Sequence, residues 1–274
     1  MPEIEPADTS LKSLEGIHLW HAPMSSCSQR VRIVLAEKGL DFVSNLIDLE
    51  KDEHATQAYQ AIHPNGLVPA LVQDGRLFIE SIDIIQQLAG RESDLANTAS
   101  PKLLKMADDA QLDLKLLTFE FLFRAYPPPP AQAAQAFQKA HQNEWLRQFR
   151  TDFADGFDPD RINQAVARTD AGFEKLNERL SDGRPFLEGP EFTLSDIAWM
   201  PNVHRFKLMD WPFEQTPHLN AWFERICERP SYRKALLDWQ PQVAGKTLIA
   251  YTKSRQSEGI DIRAFPHFQN GKLT

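Results

Sequence analysis

The apolar positions of this chain change period twice in its first ninety residues. Residues 17–20 (IHLW) are a short apolar run that Pro23 ends, and Val31, Ile33, Val34 and Leu35 then supply the apolar face of a helix. Gly39 stands where a helix C-cap belongs, and residues 42–49 (FVSNLIDL) predict a second strand, completing a βαβ unit. Residues 51–62 are polar and moderately helical, with Tyr59 and Ile62 as the buried positions. A turn at His63-Pro64-Asn65-Gly66 leads into another apolar strand. Its Pro69 lacks a ladder donor and so belongs at the strand's first residue or in a cis peptide. Asp74-Gly75 is a two-residue hairpin signal joining residues 70–73 to 77–79, and Glu80-Ser81 opens a helix carrying Ile82, Ile85 and Leu88. The order β-α-β-α-β-β-α describes a small α/β domain over residues 17–90, preceded by a loose N-terminal arm at 1–16.

Beyond a polar linker at 91–100 the strand pattern stops. Residues 101–126 read as one long amphipathic helix, and the four prolines at 127–130 form a stiff corner that no helix can cross. Residues 131–153 and 160–180 are helical again. Thr193-Leu194-Ser195-Asp196 has the spacing of a capping box, with Asp in place of the usual Glu, before a buried helix running towards Met209. One more helix at 217–228 and a break at Arg229-Pro230 bring an all-helical domain to its end near 240. Residues 241–274 have weak periodicity and a basic bias, and are expected either to wrap the body or to be partly disordered. There is no internal repeat.

Composition narrows the function classes. The 274 residues are 42% hydrophobic and 25% charged with a net charge of -8, which argues against a nucleic-acid partner because phosphate binding relies on clustered Lys and Arg. Two cysteines, Cys27 and Cys227, are too few for a disulfide framework and suit a reducing compartment. The N-terminus is polar and acidic, and no apolar run approaches membrane-spanning length, so a soluble cytoplasmic protein without a membrane partner is expected. No metal site is expected.

The chemistry-bearing stretch is Ser25-Ser26-Cys27-Ser28, at the junction between the first strand and the first helix. Hydroxyls, a thiol and unpaired backbone N–H groups meet there at the positive end of a helix, where a thiolate or another anion is stabilised. A purely structural role stands beside this one: Ser25 as helix cap, and Cys27 as a small packed side chain.

Over roughly residues 17–240 the chain resembles the glutathione transferase superfamily. Four pieces carry the resemblance in the right order: SSCSQRVRI at 25–33, HPNGLVPAL at 63–71, ESIDIIQQL at 80–88 and FTLSDIAW at 192–199. It implies a thioredoxin-like α/β N-terminal domain followed by an all-α C-terminal domain, with glutathione as co-substrate. The SSCS run is most similar to the zeta class, and also to tetrachlorohydroquinone dehalogenase. The extra helical material around 118–160 and the tail are similar to features of bacterial catabolic relatives such as β-etherases.

The resemblance implies Ser25 as the residue that stabilises the glutathione thiolate, with Cys27 as a possible covalent partner and Ser26 beside them. It further implies glutathione contacts from His54, Leu67, Val68, Pro69, Glu80 and Ser81. Val68 would give main-chain bonds beside a cis-proline, Glu80 would meet the glutamyl ammonium, and Ser81 the glutamyl carboxylate at a helix N-terminus. The second substrate, a small hydrophobic or aromatic electrophile, would enter against residues 101–126, where Arg124 could offset a negative charge. The expected function is a glutathione transferase, usually homodimeric. The alternatives are a reductive dehalogenase, β-aryl etherase or isomerase using Cys27, or a non-catalytic binding module of the same fold.

Overall fold

The computed structural model describes residues 3–90 and 92–269. Arg91, in the expected linker, and residues 270–274, in the expected tail, lie outside the described residues, as do the first two residues of the arm. The first half is a five-stranded sheet of β1 (Glu3–Ile4), β2 (Ile17–His21), β3 (Val43–Leu46), β4 (Ala70–Gln73) and β5 (Arg76–Ile79), in the order β1-β5-β4-β2-β3. Only β2 and β3 are parallel, joined through helix α1 (Ser26–Lys38), while β4 and β5 form the hairpin about Asp74-Gly75. Both turn residues have positive φ (49° and 77°), which the tight hairpin requires. A Cβ on Gly75 would stand 2.4 Å from the Lys12 carbonyl, so the N-terminal segment lies directly on this turn.

That segment is not the loose arm expected. β1 pairs antiparallel with β5 and covers its free edge, and Leu11 is buried with Ala70, Val72, Leu77 and Ile79. The short helix α2 (Gln57–Gln60) precedes the turn into β4, and α3 (Ser81–Ala89) follows β5 directly.

The helical half runs through α4 (Asp94–Asn97), α5 (Pro101–Asp109), α6 (Gln111–Phe121), α7 (Ala131–Ala140), α8 (Glu144–Asp155), α9 (Pro159–Arg179), α10 (Leu194–Leu208), α11 (Pro217–Cys227), α12 (Pro230–Ala235) and α13 (Gln242–Glu258). The helix expected as continuous over 101–126 breaks at Ala110. The Ala107 carbonyl, which residue 111 would bond in an unbroken helix, instead accepts from Arg30 Nη2 (2.7 Å) and Asn202 Nδ2 (3.1 Å). A tertiary bond has displaced a helical one. Past Trp239 the chain forms α13 against the body: Leu248 is buried, and Arg255 pairs with Glu120. No described helix is long and apolar enough to cross a membrane.

The capping box at α10 forms in full, and Asp196 does more than cap. Fully buried, its carboxylate accepts from the N–H of Leu187 and of Thr193 (2.9 Å each) and from Trp222 Nε1 (2.8 Å). Burial raises its pKa while these donors oppose the rise. Two arginines of α1 join the halves. Arg30 is wholly buried and bonds Ser81 Oγ of α3, the Ala198 carbonyl of α10 and the Asp108 carboxylate of α5 (3.1, 3.0 and 3.2 Å). Arg32 donates to the Ala235 carbonyl of α12 (2.9 Å) and stacks on Trp239.

Candidate active site

Ser25 caps α1. Its Oγ accepts from the Ser28 N–H (3.2 Å), which leaves its own O–H without a partner among the described residues. Gly39 closes the other end in the left-handed conformation, with φ of 62°. The neighbouring Ser26 is placed differently: its hydroxyl donates to Gln111 Oε1 at 2.6 Å, so the proton that could serve a ligand is already used. Cys27, half-buried, sits 3.5 Å from that same oxygen. Gln111 in turn donates to Asn202 Oδ1 (2.6 Å). The three residues grouped by the sequence therefore separate into one with a free donor, one tied to the helical half, and one facing α6.

Around the turn, Val68-Pro69 is a cis peptide, and the Leu67 carbonyl is held by the Tyr59 hydroxyl at 2.6 Å. Gly66 has φ of 56°, and a Cβ there would stand 2.6 Å from the His141 ring, so only glycine fits. Glu80 precedes α3 with φ of 65°, a sparsely populated backbone state for a residue with a side chain. Its pKa is raised by desolvation, then by Asp108 and Asp83. Asp83 is raised as well, by desolvation first. Three carboxylates thus gather at the opening of α3, beside Ser81, whose Oγ accepts from Arg30. Glu80 and Asp83, both held above the usual carboxylate values, suit a cationic ligand group, and the adjacent N–H groups of α3 suit an anionic one.

His54, expected as a glutathione contact, is buried beneath the helical half. It is only 7% exposed, covered by Phe137 and His141 of the 127–160 segment, with ring centroids 5.6 and 5.4 Å away. Desolvation, reinforced by the charges of His141, Arg150 and Lys115, lowers its pKa to about 3, and its Nδ1 has no partner among the described residues. It is a neutral imidazole beneath a helical cover. The α7–α8 segment makes that cover: Phe137 and Leu146 pack on Ala55 and Leu67, and the Ala140 carbonyl accepts from Gln60 Nε2 (2.9 Å).

Arg124 is also engaged elsewhere, bound to Glu120 at 2.6 Å and lying over the rings of Phe153 and Phe157. Phe121 is buried under Arg255 and Phe265, whereas Phe119, on the face of α6 that carries Gln111, and Phe123, in the turn beyond α6, are partly buried. Gln111, Asp108 and Lys115 are the site residues that sequence reasoning missed. The available signal was the four-residue recurrence Gln111, Lys115, Phe119, Phe123, which marks one helix face. A groove of about 570 Å³ opens on a different face of α6, against α9, lined by Asp109, Leu112, Asp113, Arg168 and Lys175.

A thioredoxin-like sheet, a cis-proline turn beside it and a helix N-terminus with a free hydroxyl donor make up an α/β domain docked on a helical one. The description "Glutathione S-transferase, N-terminal domain" matches residues 24–91, and "Glutathione S-transferase, C-terminal domain" matches residues 159–225. The chain belongs to the glutathione transferase superfamily. It is 28% identical to glutathione S-transferase Z2 of Arabidopsis thaliana, over 79% of this chain and 89% of that protein. It is 26% identical to maleylacetoacetate isomerase of Mus musculus, over 72% and 82% of the two chains. The fold is similar to that of the β-etherase LigF from Sphingobium sp. strain SYK-6, with a TM-score of 0.70 at 22% identity, covering 80% of this chain and 98% of that one. The relatives are glutathione S-transferases and related enzymes that use glutathione as co-substrate, and this chain is an enzyme of that type.

Proposed function

We propose that the protein is a glutathione transferase acting on a small aromatic or hydrophobic electrophile, with Ser25 activating the thiol. The observation that carries this is the uncommitted Ser25 hydroxyl at the cap of α1, beside a Ser26 whose proton is already donated. A hydroxyl donated to sulfur at a helix N-terminus favours the thiolate, which then attacks the electrophilic carbon; a C–S bond forms and the leaving group departs with its electron pair. The backbone of Val68, beside Pro69, and that of Leu67 would hold the cysteinyl part of glutathione in strand-like fashion. The carboxylates around Glu80 would take its ammonium, and the N-terminus of α3 at Ser81 its glutamyl carboxylate. His54 would act as a neutral donor behind this site.

The test is glutathione affinity by calorimetry together with turnover of 1-chloro-2,4-dinitrobenzene. Ser25→Ala is expected to lower turnover by about 10²-fold, the usual effect of removing one donor to a developing anion, and Cys27→Ser to leave it within a few-fold. Absence of glutathione binding, or full activity in both variants, would sink the reading.

A second reading rests on Cys27, half-buried and facing α6: a thiolate there would attack the sulfur of the glutathione conjugate, the C–S bond would break with its electron pair on the substrate carbon, which takes up a proton and leaves reduced, and glutathione would remain in mixed disulfide with the protein. Intact mass after turnover separates the two, since only the second predicts an adduct lost in Cys27→Ser. The same proposal takes the protein as a cytoplasmic homodimer. Exposed Leu112 and charges of both signs in the α6–α9 groove are the surface that supports self-association. Light scattering at twice 31.3 kDa is the expected result.

A further inference from the structure

One face of α6 looks onto the start of α1 with a four-residue repeat: Gln111, bonded to Ser26 and near Cys27; Lys115, one turn on; then Phe119, with Phe123 in the turn beyond. Lys115 is the exception on this face. It is partly buried, with its ammonium 5.0 Å from the Trp145 ring and 5.3 Å from that of Phe149. No carboxylate pairs with it among the described residues. The other cations of the region are committed. Arg124 binds Glu120, and Arg150 binds Asp52 at 2.7 Å.

Burying a lysine without a counter-ion costs stability, which the Trp145 and Phe149 ring faces offset only in part. Its pKa falls to about 8, lowered by desolvation and by Arg150, while a negative charge on Cys27 would raise it. A second cation borders the same stretch. Arg205 of α10 is 4% exposed, donates to the Met24 carbonyl, lies 6.0 Å from the Phe123 ring, and has no partner for its Nε among the described residues.

We propose that Lys115 is the residue that selects the second substrate, binding an anionic oxygen group of an aromatic electrophile while Phe119 and Phe123 take its ring. The substrate would thus carry a carboxylate or an ionised phenol, unlike the neutral aryl halides used to assay such enzymes. This rests on glutathione binding as read above and adds the chemistry of the electrophile. The sulfur would sit by Ser25, at the end where Arg205 joins Met24 to Phe123; the ring would lie along Phe123 and Phe119, and its anionic group would reach one turn back to Lys115. Arg205 adds positive potential at the Met24 end without needing to touch the substrate.

Binding of two product conjugates tests this without requiring turnover: S-(2,4-dinitrophenyl)glutathione, which is neutral on its ring, and its 4-carboxy-2,6-dinitrophenyl counterpart, each titrated by calorimetry beside glutathione itself. Wild type is expected to favour the carboxylated conjugate by roughly tenfold or more, as for a hydrogen bond to a charged group. Lys115→Met is expected to erase that preference while leaving the affinities for glutathione and the neutral conjugate within a few-fold. Lys115→Arg is expected to restore most of it. Equal affinity of wild type for the two conjugates would overturn the proposal, as would an equal loss of all three ligands in Lys115→Met, which would assign the lysine to the glutathione site. If wild type binds none of the three, glutathione recognition itself fails and the proposal fails with it.

Discussion

Glu80 shows how a single residue is set by its surroundings. Its backbone is held at positive φ so that the carboxylate stands at the opening of α3, where Asp83 and Asp108 add to desolvation in raising its pKa. A carboxylate so raised is partly protonated at pH values where a free one is ionised, and a ligand ammonium would favour ionisation. Binding of glutathione should therefore release protons in the acid range, and its affinity should rise with pH above about 4.5, the unperturbed value. Calorimetry in buffers of different ionisation enthalpy measures this directly. Asp108→Asn should remove one of the two raising charges and shift the rise to lower pH; an unchanged profile would show that Asp108 does not act on Glu80.

Among elements, the α7–α8 pair has the clearest consequence. It covers the 54–67 segment with Phe137, so Phe137→Ala should cost about 3–5 kcal/mol in unfolding free energy and readmit water to His54. The imidazole, now held at about 3, should then titrate nearer 6.5, a shift that proton NMR would follow. Much at this scale was legible in the chain. The Asp74-Gly75 hairpin, the Ser25 and Gly39 ends of α1, the cis bond before Pro69 and the Thr193–Asp196 box all rest on local chemistry, which short windows of sequence contain. What was not legible depends on distant partners. The break at Ala110 follows from Arg30 and Asn202 taking the Ala107 carbonyl, and the strand at Glu3–Ile4 from the open edge of β5. The burial of His54 was not legible because nothing near it in sequence announces Phe137. Ser26 looked equivalent to Ser25 until Gln111, 85 positions away, separated them.

For the whole molecule, buried histidines set the acid limit. His21, His54 and His204 have pKa values near 3 and His63 near 4, in each case chiefly through desolvation. In the unfolded chain they titrate near 6.5, so between these limits the unfolded state binds more protons. Stability should be complete above about pH 6.5 and fall steadily as pH drops towards 4, seen as a declining Tm in scanning calorimetry. Lys115 acts at the other end: lowered to about 8, it makes stability rise as pH climbs from 8 towards 10.5.

Arg30 points outward from the first half, with every acceptor but Ser81 in the second, and Arg32, held at home by His21, Ala22 and Pro23, reaches across to the Ala235 carbonyl. The peptide bond between the halves is thus incidental to their adhesion. Expressed as two separate chains divided within residues 92–99, the pieces should find each other and copurify, and should melt in a single transition. The N-terminal piece alone, left with the Arg30 guanidinium and only Ser81 to receive it, should be recovered only when its complement is made beside it.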